Sequence, residues 1–440
     1  MSSELPLANI VDRKTPVRRD QVFAQGQNRG SSMPTRFTRL LLATGFAGAA
    51  LAGLVSDVWA QIPGDTIKIG VLSDFSGPFA DQVGKGSVIG AQLAAEDFAK
   101  EAGGLKVEII FADHQNKPDI GVAIARRWVD AEGVDAIVDL ANSGVGLAVN
   151  TLMHEKNRAM LASATATSDL TGKFCQPTTV QWALDTWAVG NAVGRTITKM
   201  GGSTWFFISF DYALGKALQR DATEAIVKAG GSVLGSVSHP LGATDFGSYL
   251  LQAQASGAKV IALADTGADA INAIRQAAEF QIVGPDRRLA ALFLQITDID
   301  ALGLNAAQGL ILSEAFYWDL NDQTRAFASR FAERMGGKMP TEDQAGAYSA
   351  TLAYLRAVKA AGTIEGDRVL AEMKKSPIDD PLFGHVVVRA DGRATHAMYV
   401  FKVKSPQQSK NRFDVYDLVE TIPADAAFRP LDQGGCPLVK

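Results

Sequence analysis

The chain has 440 residues, of which 43 are basic and 47 acidic, so its formal net charge is −4. Seven basic and four acidic side chains lie in residues 1–60, and the rest of the chain therefore carries −7. This charge argues against a nucleic-acid partner, because nucleic-acid-binding proteins usually carry a basic face. About 380 residues follow position 60, more than one core of ordinary size needs, which predicts two domains.

Residues 1–60 have the pattern of a leader rather than of a folded domain. Arg36 and Arg39 precede an apolar run at 40–55, and the small residue Ala60 follows at a suitable cleavage position. This order is typical of a secretory signal peptide, and the run is shorter than the roughly 20 apolar residues of a spanning helix. We therefore predict cleavage near Ala60, a periplasmic location and no stable membrane insertion.

From residue 66 onwards, short apolar strands alternate with helical patterns in two series. The strands predicted in the first series are 67–72, 105–112, 135–140 and 159–162. Those of the second series are 204–209, 233–239, 260–264 and 289–294. Such alternation is typical of βαβ units around a parallel sheet, so the two series predict two similar α/β lobes. Three later segments, 385–389, 397–403 and 413–420, are predicted to be antiparallel strands.

The first predicted strand ends in a polar turn at residues 74–80, which contains Ser76, Gly77 and Pro78. Ligands of open α/β sheets lie in the crevice beyond the carboxyl ends of the strands. The turn is therefore predicted to form one wall of a ligand cleft. The alternative is an ordinary strand-to-helix turn without a ligand.

Short polar residues recur where predicted strands pass into helices, at Ser76, Asn142, Ser143, Thr165, Thr167 and Thr266. Helix N-termini carry unpaired N–H groups and a partial positive charge, which suit a carboxylate. The alternative for each residue is simple helix capping, with Ser143 as the expected N-cap and with Asp211 and Asp269 in the same role. Aromatic residues lie near the same junctions, at Trp182, Trp187, Tyr212, Phe316, Tyr317 and Trp318. They suit either core packing or stacking on a flat ligand.

Patterns of catalytic chemistry are missing from the sequence. The five histidines show no metal-ligand spacing, and neither a nucleophile elbow nor a P-loop is present. The glycines at 84, 86 and 90 nearly match a dinucleotide fingerprint, but the last is one residue late. We therefore predict a binding protein without catalytic residues, metal or cofactor; an exported hydrolase is the alternative.

The two cysteines, Cys175 and Cys436, are a plausible disulfide in an exported protein. Such a bond would tie the C-terminal tail to a loop far back in the chain. Two separate buried thiols are the alternative.

The ordered set of motifs resembles the type I periplasmic solute-binding proteins of the leucine/isoleucine/valine-binding family, the substrate-binding components of ABC importers. The likeness covers roughly residues 65–430, and its motifs are the segments 67–80, 139–146, 161–171, 211–215 and 264–270. The resemblance implies two parallel-sheet αβα lobes joined by a hinge that the chain crosses three times, near 183, 296 and 398. The implied lobes are 65–183 plus 297–398, and 184–296 plus 399–440.

The resemblance also implies how a ligand is held. Its carboxylate is expected at the Ser143 hydroxyl and around Ala164–Thr167, with the second lobe adding Tyr212, Leu214, Thr266 and Asp269. Val83 and Leu214 stand where amino-acid binders of the family have aromatic residues, and Asp269 stands for their acidic ammonium partner. Segments 205–207, 211–213, 316–319 and 436–437 are similar to binders of aromatic carboxylates.

These arguments predict an extracytoplasmic receptor that delivers a small carboxylate, an aromatic acid of benzoate or phenylpropanoid type, to the membrane subunits of an ABC importer. A branched-chain amino acid or a small amide is the alternative ligand. The predicted ligand-binding set is Ser76, Asn142, Ser143, Ala164, Thr165, Ala166, Thr167, Trp182, Tyr212, Leu214, Thr266, Asp269, Phe316 and Tyr317.

Overall fold

A computed structural model describes residues 62–439 of the chain. The predicted leader and its cleavage near Ala60 lie outside the described residues. Within residues 62–439, no helix has both the length and the apolar character needed to span a bilayer.

The first lobe, lobe 1, is built on five parallel strands in the order β2-β1-β3-β4-β5. The strands are β1 (Thr66–Ser73), β2 (Lys106–Asp113), β3 (Ala136–Asp139), β4 (Ala159–Ala162) and β5 (Thr179–Gln181). Their connecting helices are α1 (Gly84–Ala99), α2 (Pro118–Ala131) and α3 (Ser143–Glu155). Gly70 of β1 gives room to Trp128 of α2, since a Cβ there would lie 2.4 Å from the indole ring.

The second lobe, lobe 2, is built on four parallel strands in the order β7-β6-β8-β9. The strands are β6 (Thr204–Phe210), β7 (Ser232–His239), β8 (Val260–Ala264) and β9 (Arg288–Ala291). Its helices are α4 (Thr186–Lys199), α5 (Ala213–Lys228), α6 (Gly247–Ala255), α7 (Gly267–Glu279), α8 (Ile296–Leu302) and α9 (Leu304–Ala307).

The rest of the chain adds two small antiparallel sheets and further helices. The strands are β10 (Ile311–Glu314), β11 (Ile378–Asp380), β12 (Gly384–Val388), β13 (Ala394–Thr395), β14 (Met398–Val403) and β15 (Tyr416–Ile422), ordered β10-β14-β15 and β11-β12-β13. The helices are α10 (Asp322–Arg334), α11 (Glu342–Ala361), α12 (Gly366–Met373) and α13 (Ala424–Ala427). The predicted fold class of two parallel-sheet α/β lobes is confirmed, as is the antiparallel character of the late strands.

Two segments that lead between the lobes are held together by Arg393. Its guanidinium donates to the carbonyls of Leu184 at 2.7 Å, Trp182 at 2.6 Å and Ala183 at 2.9 Å. The exact lobe boundaries stay a prediction. Helices α8 and α9 pack against α7 of lobe 2, and β10 pairs with β14. These contacts favour a second crossing between the lobes nearer residue 315 than the predicted 296.

The structure places Cys175 and Cys436 in a disulfide with a Cα–Cα distance of 5.6 Å. We expect the Cys175→Ser/Cys436→Ser double variant to lose about 2 kcal/mol of unfolding free energy, because the cross-link restricts the unfolded chain. Denaturant unfolding measures the loss, and equal stability of variant and wild type would contradict the expectation.

Candidate functional site

The two lobes face each other at the carboxyl ends of their parallel strands, where direct hydrogen bonds join them. Gln82 donates through Nε2 to Thr266 Oγ1 at 2.8 Å and to Asp298 Oδ2 at 2.7 Å. The backbone N–H of Ala268 donates to the Pro78 carbonyl at 3.3 Å. Gly267, at φ 64°, permits this approach, because a Cβ there would lie 2.5 Å from the Pro78 oxygen.

Asp74 organises the lobe 1 turn that takes part in these contacts. Its buried carboxylate accepts hydrogen bonds from the backbone N–H groups of Ser76, Gly77 and Phe79, and from the side chain of Asn116. Ser76 itself is exposed and donates to Asp113 at 2.6 Å. The turn thus contacts lobe 2 through Pro78, and its order comes from Asp74, which the prediction did not single out.

An interlobe cavity of about 400 Å³ opens beside these contacts. Lobe 1 contributes Asn116, Pro118, Asn142 and Gly144, and lobe 2 contributes Asp211, Tyr212, Ala213, Ser238, His239, Pro240 and Leu241. Of the predicted ligand-binding residues, Asn142 and Tyr212 line this cavity.

The cavity walls include the first residues of two helices. Asn142, rather than the predicted Ser143, is the N-cap of α3, and its side chain accepts from the N–H groups of Gly144 and Val145. Tyr212 precedes α5 without a side-chain cap. The Tyr212 hydroxyl is buried and has no hydrogen-bond partner among the described residues. Burial raises the pKa of Tyr212, and the charges of Asp269 and Asp265 add to the effect.

The other predicted hydroxyls are used within the protein and do not line the interlobe cavity. Ser143 Oγ accepts from the Thr167 N–H at 3.2 Å, and Thr165 Oγ1 donates to the Leu140 carbonyl at 2.6 Å. Thr167 Oγ1 accepts from the Asp169 N–H at 3.4 Å. The structure thus gives these three hydroxyls the capping and turn-forming contacts that were the alternative.

The remaining predicted residues are buried in the core. Trp182 donates to Ser349 Oγ at 2.6 Å, Phe316 packs edge-on against Phe327, and the Tyr317 hydroxyl donates to the Phe413 carbonyl at 2.7 Å. Ala164, Ala166 and Leu214 are apolar core residues as well. For the aromatic residues among them, core packing is the observed role.

His239, which lines the cavity, forms a buried cluster with Asp265 and Asp269 behind the cavity wall. His239 Nε2 is 3.2 Å from Asp265 Oδ2, and Nδ1 is 3.1 Å from the Pro240 carbonyl, so both ring nitrogens face acceptors. Burial alone would lower the pKa of His239, but the hydrogen bond and charge of Asp265 outweigh burial and raise it. Asp269 accepts from the N–H groups of Gly242 and Ala243, and burial raises its pKa to about 6.

Asp139, at the end of β3, is a fully buried acid that the sequence prediction did not include. Neither carboxylate oxygen has a hydrogen-bond partner with good geometry among the described residues. Burial raises the pKa of Asp139 to about 7, against a smaller lowering by the Ser73 and Ser87 hydroxyls. Its φ is 88° and that of Leu140 is 66°, values that non-glycine residues adopt mainly at constrained sites.

Nothing in the described part of the chain suggests a metal centre, since no group of three or more His, Cys, Asp or Glu side chains is placed to hold an ion. Gln82, Asp74 and His239 were the main omissions of the sequence prediction. Their one sequence signal is position: Asp74 and His239 lie at or just beyond the carboxyl end of a parallel strand, and Gln82 lies in the segment between β1 and α1.

Comparisons with known proteins agree with this architecture. A periplasmic binding protein from Burkholderia mallei is 42% identical, with a TM-score of 0.83, and the match covers 86% of this chain and all of that one. The Leu/Ile/Val-binding protein homolog 6 of Brucella melitensis is 27% identical over 246 residues, 55% of this chain; the chain spans about 62% of the length of that curated relative.

A third relative, an ABC transporter solute-binding protein from R. palustris in complex with benzoate, is 18% identical with a TM-score of 0.74. That match covers 84% of this chain and 99% of the other, and at this identity it concerns the fold alone. By name all three relatives are binding proteins, and none is an enzyme. The family model of periplasmic binding proteins matches residues 66–410. The chain therefore belongs to the periplasmic binding protein family.

Proposed function

We propose that the protein is the extracytoplasmic receptor of an ABC importer and that its ligand is a small aromatic carboxylate of benzoate or phenylpropanoid type. The ligand would occupy the interlobe cavity and be handed to the membrane subunits of the importer. Export by a signal peptide cleaved near Ala60 belongs to the same proposal.

The proposal of a carboxylate ligand rests on two helix N-termini that meet at one cavity. Helix α3 reaches it through Gly144 and helix α5 through Ala213, one from each lobe. Each N-terminus carries a partial positive charge, which favours an anion. In α3 the Asn142 side chain already accepts from the N–H groups of Gly144 and Val145, so this terminus acts through its charge. The α5 terminus has no side-chain cap, so no capping side chain competes with a ligand for its N–H groups.

The aromatic part of the proposal rests on Tyr212 and its surroundings. The tyrosine ring packs 5.1 Å from the ring of Phe210, which holds it in place. Pro118, Pro240 and Leu241 add apolar surface to the same cavity. A flat ring bound there would gain apolar burial against the Tyr212 ring.

A simple acid is favoured over an amino acid by the position of Asp269. Its oxygens accept from two backbone N–H groups, and it does not line the interlobe cavity. Asp211 does line the cavity, but it is largely exposed and pairs with Lys216 at 3.1 Å. A branched-chain amino acid or small amide remains the second candidate, because the Brucella relative is named as a homolog of Leu/Ile/Val-binding proteins. Direct roles for Ser143, Thr165 and Thr167 stay predictions.

We expect benzoate or 3-phenylpropanoate, and not leucine, to raise the melting temperature. At a ligand concentration about 100 times Kd the stabilisation is about 2.7 kcal/mol, which shifts the transition measurably. Differential scanning fluorimetry with matched ionic strength makes the comparison. The Asp211→Asn variant is the discriminating control, because Asp211 is the acid that lines the cavity: the variant should keep the response to an acid but lose a response to an amine. A shift with leucine alone would overturn the proposed ligand class.

A further inference from the structure

A second concave site lies on lobe 2 at the sheet edge opposite the cleft. This basal groove, of about 420 Å³, is formed by the C-terminal end of α4, by α7, and by the starts of β9 and β10. Parallel strands carry the ligand cleft at their carboxyl ends, so the groove is separated from the interlobe cavity by the length of the sheet. Its volume falls within the range of small-molecule sites.

The walls of the groove are mainly apolar and partly open to solvent. Ile197, Ile274, Leu289 and Leu310 line it together with Met200 and Val283. Met200 is 50% exposed and Val283 is 45% exposed. Exposed apolar side chains grouped around a concavity are a feature of binding sites rather than of ordinary surface.

The charged side chains in these walls all have the same sign. Arg287, Arg288 and Lys402 line the groove, and no aspartate or glutamate does. None of the three forms an ion pair within residues 62–439, where most other arginines and many lysines are paired. Arg287 donates to the carbonyls of Ala258 and Gln254, both at 3.3 Å, which orients its guanidinium. Three unpaired cations around an apolar hollow, on a protein of net negative charge, complement an anion with an apolar body.

We propose that the basal groove binds a small soluble monoanion with an apolar tail, of the medium-chain carboxylate class. The tail lies along Met200, Val283 and Leu289, and the carboxylate lies between Arg288 and Lys402. This site is separate from the interlobe cavity and does not depend on the ligand proposed for it.

Decanoate below its critical micelle concentration is the probe, with isothermal titration calorimetry on the full mature chain. We expect one decanoate site in the wild type and about a tenfold weaker Kd in Arg288→Ala/Lys402→Ala. Ala278→Trp, on the exposed rim, should block the groove without disturbing the core. The control Lys85→Ala/Lys106→Ala, two exposed cations of lobe 1, should bind decanoate like the wild type.

The following results would overturn the proposal. They are absence of decanoate binding at millimolar concentration, equal loss in the lobe 1 control, equal affinity for uncharged decanol, and loss of the decanoate site in Tyr212→Ala, which would assign it to the interlobe cavity. Phosphatidylglycerol vesicles in a parallel sedimentation assay test a lipid surface as the source of the same chemistry. Binding to vesicles without binding of free decanoate also contradicts the proposal.

Discussion

Replacing Asp139 by asparagine is expected to make the protein more stable, relative to wild type, as the pH rises from about 5 to about 8. The folded state holds the Asp139 proton up to a pKa of about 7, whereas the ordinary aspartate value is 3.8. Between these values the folded state binds more protons than the unfolded state, so the stability from this group is complete below about pH 4 and is lost as the pH rises to 7. At about 1.4 kcal/mol per pKa unit the full loss is about 4 kcal/mol.

Asparagine has no proton to lose, so the variant lacks this slope. The comparison must be made between variant and wild type, because burial lowers the pKa of His114 and of His396 to about 4, and these groups give a slope of opposite sign. Asp139 interacts electrostatically with Asp74 and Asp343, which are also buried. Denaturant unfolding at about pH 5 and pH 8 should show a change of about 3 kcal/mol in the stability difference. Parallel curves, equal to those of the exposed control Asp286→Asn, would contradict it.

Replacing Gln82 by alanine is expected to weaken ligand binding roughly 100-fold. The change removes two buried hydrogen bonds between the lobes and leaves Thr266 and Asp298 without this donor. Each buried group left without a partner costs about 1 to 3 kcal/mol in the closed arrangement, in which the lobes are in contact. When the lobes separate, water supplies the missing partners. A ligand that needs the closed arrangement loses affinity by the same free energy.

The measurement is the Kd of the acid that gives the largest melting shift, together with the radius of gyration by small-angle scattering. Gln252→Ala, on the exposed face of α6, is the matched control and should bind like the wild type. Thr266→Val removes one of the two acceptors of Gln82, so its Kd should lie between those of the wild type and of Gln82→Ala. An unchanged Kd and radius of gyration in Gln82→Ala would show that this contact does not hold the lobes together.

The candidate site was only partly predictable from the sequence, and the differences share a cause. The pattern at 139–143 correctly indicated a strand followed by a helix start, yet Asn142 rather than Ser143 caps α3. Both residue types are good N-caps, and the choice depends on one backbone torsion that sequence spacing does not reveal. Trp182, Phe316 and Tyr317 suited either a ligand or a core, and their partners Ser349, Phe327 and Phe413 are fixed only by the packing of distant segments.

Hydrophobic periodicity by itself determined the two parallel-sheet lobes and put the polar turns at one edge of each sheet, because burial repeats along a strand and a helix with a fixed period. Only the tertiary structure decided which polar side chains face the cavity. Gln82 meets Thr266 across 184 positions of sequence, and Asp269 turns towards Gly242 instead of the cavity. Such contacts depend on how the two lobes are oriented relative to each other. No local pattern of residue types encodes that orientation.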